Sequence, residues 1–218
     1  MTAAETPVVH ALAPATPMLI DRYLPTFDVT LVEHRVVEAD VETTWEALVD
    51  LDLMTVHTPL LDAAFAVRAI PAALSRLVGR EPTAEEPPPA TLKLTGDGAG
   101  LPGWLPLGEV PGSEIALGAI GRFWQPDITW YDTTEVTPEG FADFDEPGWG
   151  RIAANFSLRA YGEHRTLISY EARTRTDDAD AARRFGVYWR IIRPFVGHIM
   201  GAALDAVGRD AEARAVAA

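Results

Sequence analysis

Residues 177–213 read DDADAARRFGVYWRIIRPFVGHIMGAALDAVGRDAEA, and their spacing decides the fold. Phe185, Tyr188, Trp189, Ile192, Val196, Ile199 and Ala203 recur at intervals of three and four, which gathers them on one stripe of a single long helix. Asp177, Asp178 and Asp180 put negative charge where a helix N-terminus favours it. Pro194 removes one backbone donor and crowds the preceding turn, so a kink near Arg190 is expected. An apolar stripe of this length needs a surface to lie on.

That surface is legible upstream. Gly150 to Tyr161 and Arg165 to Thr176 flank Gly162-Glu163-His164 as an antiparallel hairpin, and Trp104 to Val110 and Glu114 to Trp124 flank Pro111-Gly112-Ser113 in the same way. A further strand is expected over Ile128 to Val136, and one or two helical turns over Pro138 to Phe144. Phe27 to Ala39 is rich in β-branched residues and reads as the first strand. Asp40 then caps a short helix carrying Trp45, Leu48, Val49 and Leu51. A second helix opens at Thr58-Pro59, runs through Leu60, Leu61, Phe65, Val67, Leu74, Leu77 and Val78, and bends at Pro71. Residues 79–103, rich in Pro and Gly, predict a mobile loop, and residues 1–18 a flexible N-terminal tail, leaving a domain over 19–213. Strands that follow one another without intervening helices exclude a doubly wound parallel sheet. The fold class is therefore α+β, with the final helix covering one face of an antiparallel sheet.

Composition narrows the function classes. A length of 218 residues suits one domain, and 48% apolar with 23% charged residues suits a packed interior. Eighteen Lys and Arg against thirty-two Asp and Glu give a net charge of −14, a mean field that repels phosphate backbones and anionic headgroups. Neither nucleic acid nor a membrane is expected as a partner. With no cysteine, thiol chemistry and disulfides are excluded; with neither a leader-like N-terminus nor an apolar span, the cytoplasm is the expected location. His10, His34, His57, His164 and His198 show no ligand spacing, so no metal is expected. Gly98 to Gly103 formally matches a dinucleotide fingerprint, but Pro102 interrupts it and a strand follows, so no cofactor is expected either. Asn155-Phe156-Ser157 spells a sequon inside a predicted strand and carries nothing.

Val37-Glu38-Ala39-Asp40-Val41-Glu42-Thr43-Thr44-Trp45 is similar to the strand-to-helix passage of the START-like, or SRPBCC, superfamily, and the long closing helix completes the likeness. Gly121-Arg122-Phe123-Trp124, Glu146-Pro147-Gly148 with Asn155-Phe156, and Arg193-Pro194-Phe195 resemble an uncharacterised bacterial branch of it. The resemblance spans roughly Leu19 to Arg209 and implies a helix-grip fold, a curved antiparallel sheet around the last helix, with a cavity between them. Carriers, sensors and polyketide cyclase-like enzymes share that superfamily, so the fold alone assigns no activity.

Glu33 and Arg35 share one side of the first strand and Glu171 and Arg173 one side of the last. Pairing 33 with 173 and 35 with 171 opposes unlike charges across the ladder. On one reading those four charges face solvent and Val32, His34, Val36, Ile168, Tyr170 and Ala172 face the interior. On the other, the quartet lies inside as a polar anchor, a parity that a bulge at Val36-Val37 permits.

Trp104, Trp124, Tyr170, Tyr188 and Trp189 offer flat surfaces to a small hydrophobic or aromatic molecule, with Asn155, Arg173, His34 and Arg35 as polar contacts. Arg122 supplies a guanidinium fork for a carbonyl or carboxylate, and Glu171 or His198 a proton carrier, should the cavity be catalytic. The expected function is binding of a hydrophobic metabolite in that cavity. The alternatives are a cofactor-independent cyclase, dehydratase or isomerase using Arg122, Glu171 and His198, and an interaction domain whose cavity its own side chains fill.

Overall fold

The computed structural model describes residues 17–52, 93–94, 103–125 and 128–217. The helix expected from Thr58 to Val78, the tail through residue 16, and the 79–103 loop apart from Lys93, Leu94 and Gly103 lie outside the described residues.

The elements run α1 (Leu19–Tyr23), β1 (Val29–Val37), α2 (Val41–Asp50), β2 (Trp104–Val110), β3 (Glu114–Arg122), β4 (Thr129–Trp130), α3 (Pro138–Asp143), β5 (Gly150–Ala160), β6 (Thr166–Thr176) and α4 (Ala179–Ala217). Local chemistry sets their ends. Asp40 accepts from the Thr43 backbone N–H at 2.8 Å, and Thr137 from that of Gly140 at 3.1 Å with Pro138 at the first helical position. Asp178 accepts from Asp180 and Ala181 at the start of α4 and also from Gly148. Both hairpins turn on left-handed glycines, Gly112 at φ 72° and Gly162 at φ 77°. The expected third strand shortens to Thr129–Trp130, α1 is an addition that the sequence pattern did not announce, and α4 runs unbroken through Pro194.

The strands form one antiparallel sheet in the order β1-β6-β5-β3-β2, with β4 on the far end of β3. The first strand pairs the last, so sequence-adjacent hairpins close around a nonlocal contact. With α4 packed against β1 and β6, this is the helix-grip arrangement.

Register overturns the expected charge quartet. Val32 lies opposite Glu171, Glu33 opposite Tyr170, and Arg35 opposite Ile168. Pairing is therefore shifted by three residues from 33 with 173, and an odd shift exchanges the faces. Leu31, Glu33 and Arg35 share the α4 side with Ile168, Tyr170 and Ala172, whereas Val32, His34 and Val36 share the other side with Glu171 and Arg173. Neither reading of the parity holds as a whole; each strand contributed one half.

Both faces carry cores. On the inner face, towards α4, one cluster joins Val37, Ile168, Phe156, Leu158 and Ile115 to Leu204, Val207 and Ala211 of α4 and Ala47 and Leu48 of α2. A second joins Ala119 and Phe123 to Phe185, with Trp104, Trp124, Tyr188 and Trp189 at its margin. The outer face is covered by α1 and α3, where Ile20, Leu24 and Phe141 pack on Leu105, Leu107, Ala116, Ile120 and Ala153. Gly118 is required there, because a Cβ would stand 2.9 Å from the Phe141 ring.

Candidate functional site: the inner face and the last helix

α4 is buried at both ends and uncovered in the middle. Ala181 and Phe185 are buried near its start, and Met200, Ala203, Leu204, Val207, Gly208 and Ala211 from its centre onward. Between them Tyr188, Trp189, Ile192, Val196 and Ile199, all in phase with the buried stripe, are only half-buried. Across from this stretch, Leu31, Ala172 and Tyr170 on β1 and β6 and Ile152 on β5 are also half-buried, although β5 and β6 are interior strands. Half-buried apolar side chains thus line both the middle of α4 and the strands across from it. Gly197 lets α4 approach β1 closely here, since an added Cβ would lie 3.2 Å from Glu33 Oε1 and 3.5 Å from Leu31.

This stretch has few polar groups. Tyr170 stacks on Phe156 with centroids 4.0 Å apart, and burial pushes its phenol up to about 12, so at neutral pH it is a hydrogen-bond donor. Among the described residues nothing receives that hydroxyl. Glu33 stands opposite it on β1 at the rim. Arg35, one step further, is taken up by Asp205 and Glu212 of α4, and although burial lowers its pKa these partners raise it overall. It clamps the helix, and at Gly208 any side chain would collide with it.

The residues nominated from sequence are distributed over several surfaces. Tyr170 and Trp104 pack at the margin of one inner-face cluster, and Trp104, Tyr188 and Trp124 at the margin of the other. Asn155, Glu171 and Arg173 lie on the outer face, under α1, and are consumed there. Arg173 pairs with Glu171 at 2.7 Å and Asp21 at 2.8 Å and donates to the Ile20 and Leu24 carbonyls. Burial lowers its pKa, but those two carboxylates raise it overall. Asn155 donates to Glu114, whose carboxylate also accepts the Leu19 backbone N–H. His34 is exposed on that face and 2.7 Å from Ser169 Oγ. His198 is exposed on the outer side of α4, away from its buried stripe. Arg122 lies over the Trp149 ring at 4.4 Å and donates to the Gly148 carbonyl at 3.1 Å, beside a cleft of about 160 Å³ that Asp178, Asp180 and Arg184 also line. Arg122, Glu171 and His198 thus do not converge on one point.

Two other features escaped the sequence reading. Arg151 and Asp177 form an ion pair at 3.2 Å with side chains 5% and 3% exposed, and Arg151 also donates to the Phe141 and Ala142 carbonyls at the end of α3. Burial lowers the Arg151 pKa and raises that of Asp177, so desolvation outweighs their mutual attraction. A groove of about 780 Å³ also borders Met18, Leu19, Arg22, Val110, Glu114 and Arg159 at the outer rim. That volume is ligand-sized, but Glu114 is already committed to Leu19 and Asn155, leaving little to recognise a ligand there.

No family model and no curated protein matches the chain. Solved structures similar to it include a hypothetical protein from Helicobacter pylori, at 9% identity and a TM-score of 0.43 over 93% of this chain and 98% of that one. Norcoclaurine synthase from Thalictrum flavum gives 12% and 0.33 over 94% and 97%, and CalU16 from Micromonospora echinospora 12% and 0.28 over 86% and 86%. The helix-grip architecture stands on strand order and on the α4 contacts.

Proposed function

We propose that this chain is a START-like binding module that holds a small, largely apolar molecule between α4 and the inner face of the sheet. One observation carries the reading: Ala172 and Tyr170 on an interior strand, and Ile192, Val196 and Ile199 facing them on α4, are apolar or aromatic yet accessible. The walls favour a hydrophobic or aromatic body, and the Tyr170 hydroxyl favours one acceptor oxygen or nitrogen on it. Native mass spectrometry of the purified chain, and titration with a fluorescent naphthalene sulfonate, test this directly. Binding that Ala172→Phe abolishes while the melting temperature holds supports it. Absence of any bound or bindable apolar molecule sinks it.

A second reading, a cofactor-independent cyclase, dehydratase or isomerase, is favoured by the same hydroxyl. A neutral phenol in an apolar gap can polarise a substrate carbonyl. On this reading Tyr170→Phe removes turnover, while Arg122→Ala and Glu171→Gln, on other surfaces, leave it; the reverse pattern would return the chemistry to those two residues.

A further inference from the structure

Residues 181–204 contain no Asp or Glu in a chain that holds thirty-two of them, yet they hold Arg183, Arg184, Arg190 and Arg193. All four arginines are exposed. Arg183 and Arg184 share the single carboxylate of Asp180. Arg190 and Arg193 meet no carboxylate among the described residues. The same helical face exposes Val187 at 59%, Ile191 at 75% and Pro194. At 100° per residue, Arg183, Arg190 and Arg193 fall on one side of this face and Pro194, Val187 and Ile191 on the other, where Arg184 stands at the N-terminal end and half-buried Phe195 and Tyr188 continue the apolar side.

We infer that the outward face of α4, from Arg183 to Pro194, is a docking surface for an anionic lipid membrane. Exposed aliphatic residues alone would be ordinary. What distinguishes this face is an apolar stripe edged by Arg190 and Arg193, with Arg183 and Arg184 at its N-terminal end, in a stretch without Asp or Glu from 181 to 204, the arrangement that lets a helix lie in a headgroup layer with its aliphatic residues sunk and its cations at the phosphates. The mean charge of −14 argued against such a surface. That charge acts as a mean only at a distance: at physiological salt, fields fade over about 8 Å, so a surface in contact feels the local patch. A second copy is a poorer occupant, because a two-fold contact would set the arginine row against itself.

The test is co-flotation of the full chain with phosphatidylcholine vesicles, with and without phosphatidylglycerol, at low salt and at about 0.5 M salt. The expected result is binding only to the anionic vesicles, weakened by salt, and reduced at least about tenfold by Arg190→Glu with Arg193→Glu and by Ile191→Asp. Circular dichroism confirms that these exposed substitutions leave the fold intact, and Arg190→Gln with Arg193→Gln replaces any that does not. Wild-type protein that fails to float with anionic vesicles, or variants that float equally well, would overturn the inference. So would light scattering that shows a dimer dissolved by Ile191→Asp, or tight capture of an acidic protein in place of lipid.

Discussion

Arg151 and Arg173 on the outer face each take the carbonyls of a short helix and a carboxylate, sealing α3 and α1 onto the sheet. On the inner face, Tyr170 points towards α4 with nothing among the described residues to receive its hydroxyl, and Ala172 beside it stays accessible under a helix. One sheet therefore spends its polar side chains on closure on one side and leaves apolar side chains half-buried under the helix on the other. The contrast teaches that buried charge need not mark a site. Here it marks the closed face, where each guanidinium is already engaged by backbone carbonyls and a carboxylate even though Arg151 Nε stays without a partner, while the half-buried stretch of the other face is nearly apolar.

The largest expected effect tests the closed side. Arg151→Ala strands Asp177 in the interior and frees two carbonyls of α3, so urea unfolding should show a loss of about 3–5 kcal/mol. Ligand binding by the folded fraction should survive; if it vanishes at a temperature where the variant is folded, the two faces are not independent. Phe141→Ala should lose a comparable amount, about 3–5 kcal/mol, because that ring is fully buried against Gly118.

Ala172→Phe should do the opposite. A ring placed in the gap should change stability by less than about 1.5 kcal/mol and exclude the ligand. A large destabilisation would mean that the space is already filled. A finer cut is Tyr170→Phe, which keeps the ring stack on Phe156 and removes only the hydroxyl. Calorimetric affinity for a ligand bearing an acceptor should fall about threefold to tenfold, and affinity for one without an acceptor should not change.

The smallest effect is on pH dependence. Backbone hydrogen bonds from Ala181, Gly148 and Asp180 hold Asp178 below the ordinary carboxylate value, and the Thr43 N–H does the same for Asp40. A depressed folded pKa stabilises above the unfolded value, about 3.9, and that stabilisation is lost as pH falls through the folded value. Asp177, raised by burial, has the opposite sign: the stability it contributes is present below the unfolded value and lost as pH rises through the raised one. Denaturation followed across the acid range should therefore show Asp178→Asn flattening the acid limb. A limb of unchanged slope would remove Asp178 from it.

Much of this molecule was legible because the signals are local. The stripe from Phe185 to Ala203, the Asp40 cap and the glycine turns each depend on residues within a few positions of one another, and period and turn chemistry suffice to read them. α1 was not legible, since a five-residue helix has too few positions to show a period; it exists because Arg173 and Glu114 on distant strands hold its carbonyls and its Leu19 N–H. Of the nominated site residues, Tyr170, Tyr188 and Trp104 lie against the inner-face clusters, as a strand or helix period can suggest, whereas Asn155, Glu171 and Arg173 lie beneath α1, a placement that only the pairing register sets.

Sequence by itself determined the element order, the antiparallel hairpins, the long amphipathic helix and so the helix-grip class. Tertiary structure alone decided which side of β1 and β6 turns inward, because these strands lie far apart in sequence and no turn ties their register. A pairing shifted by three residues keeps every strand where the pattern puts it and still turns Glu171 outward and Ala172 inward relative to Glu33.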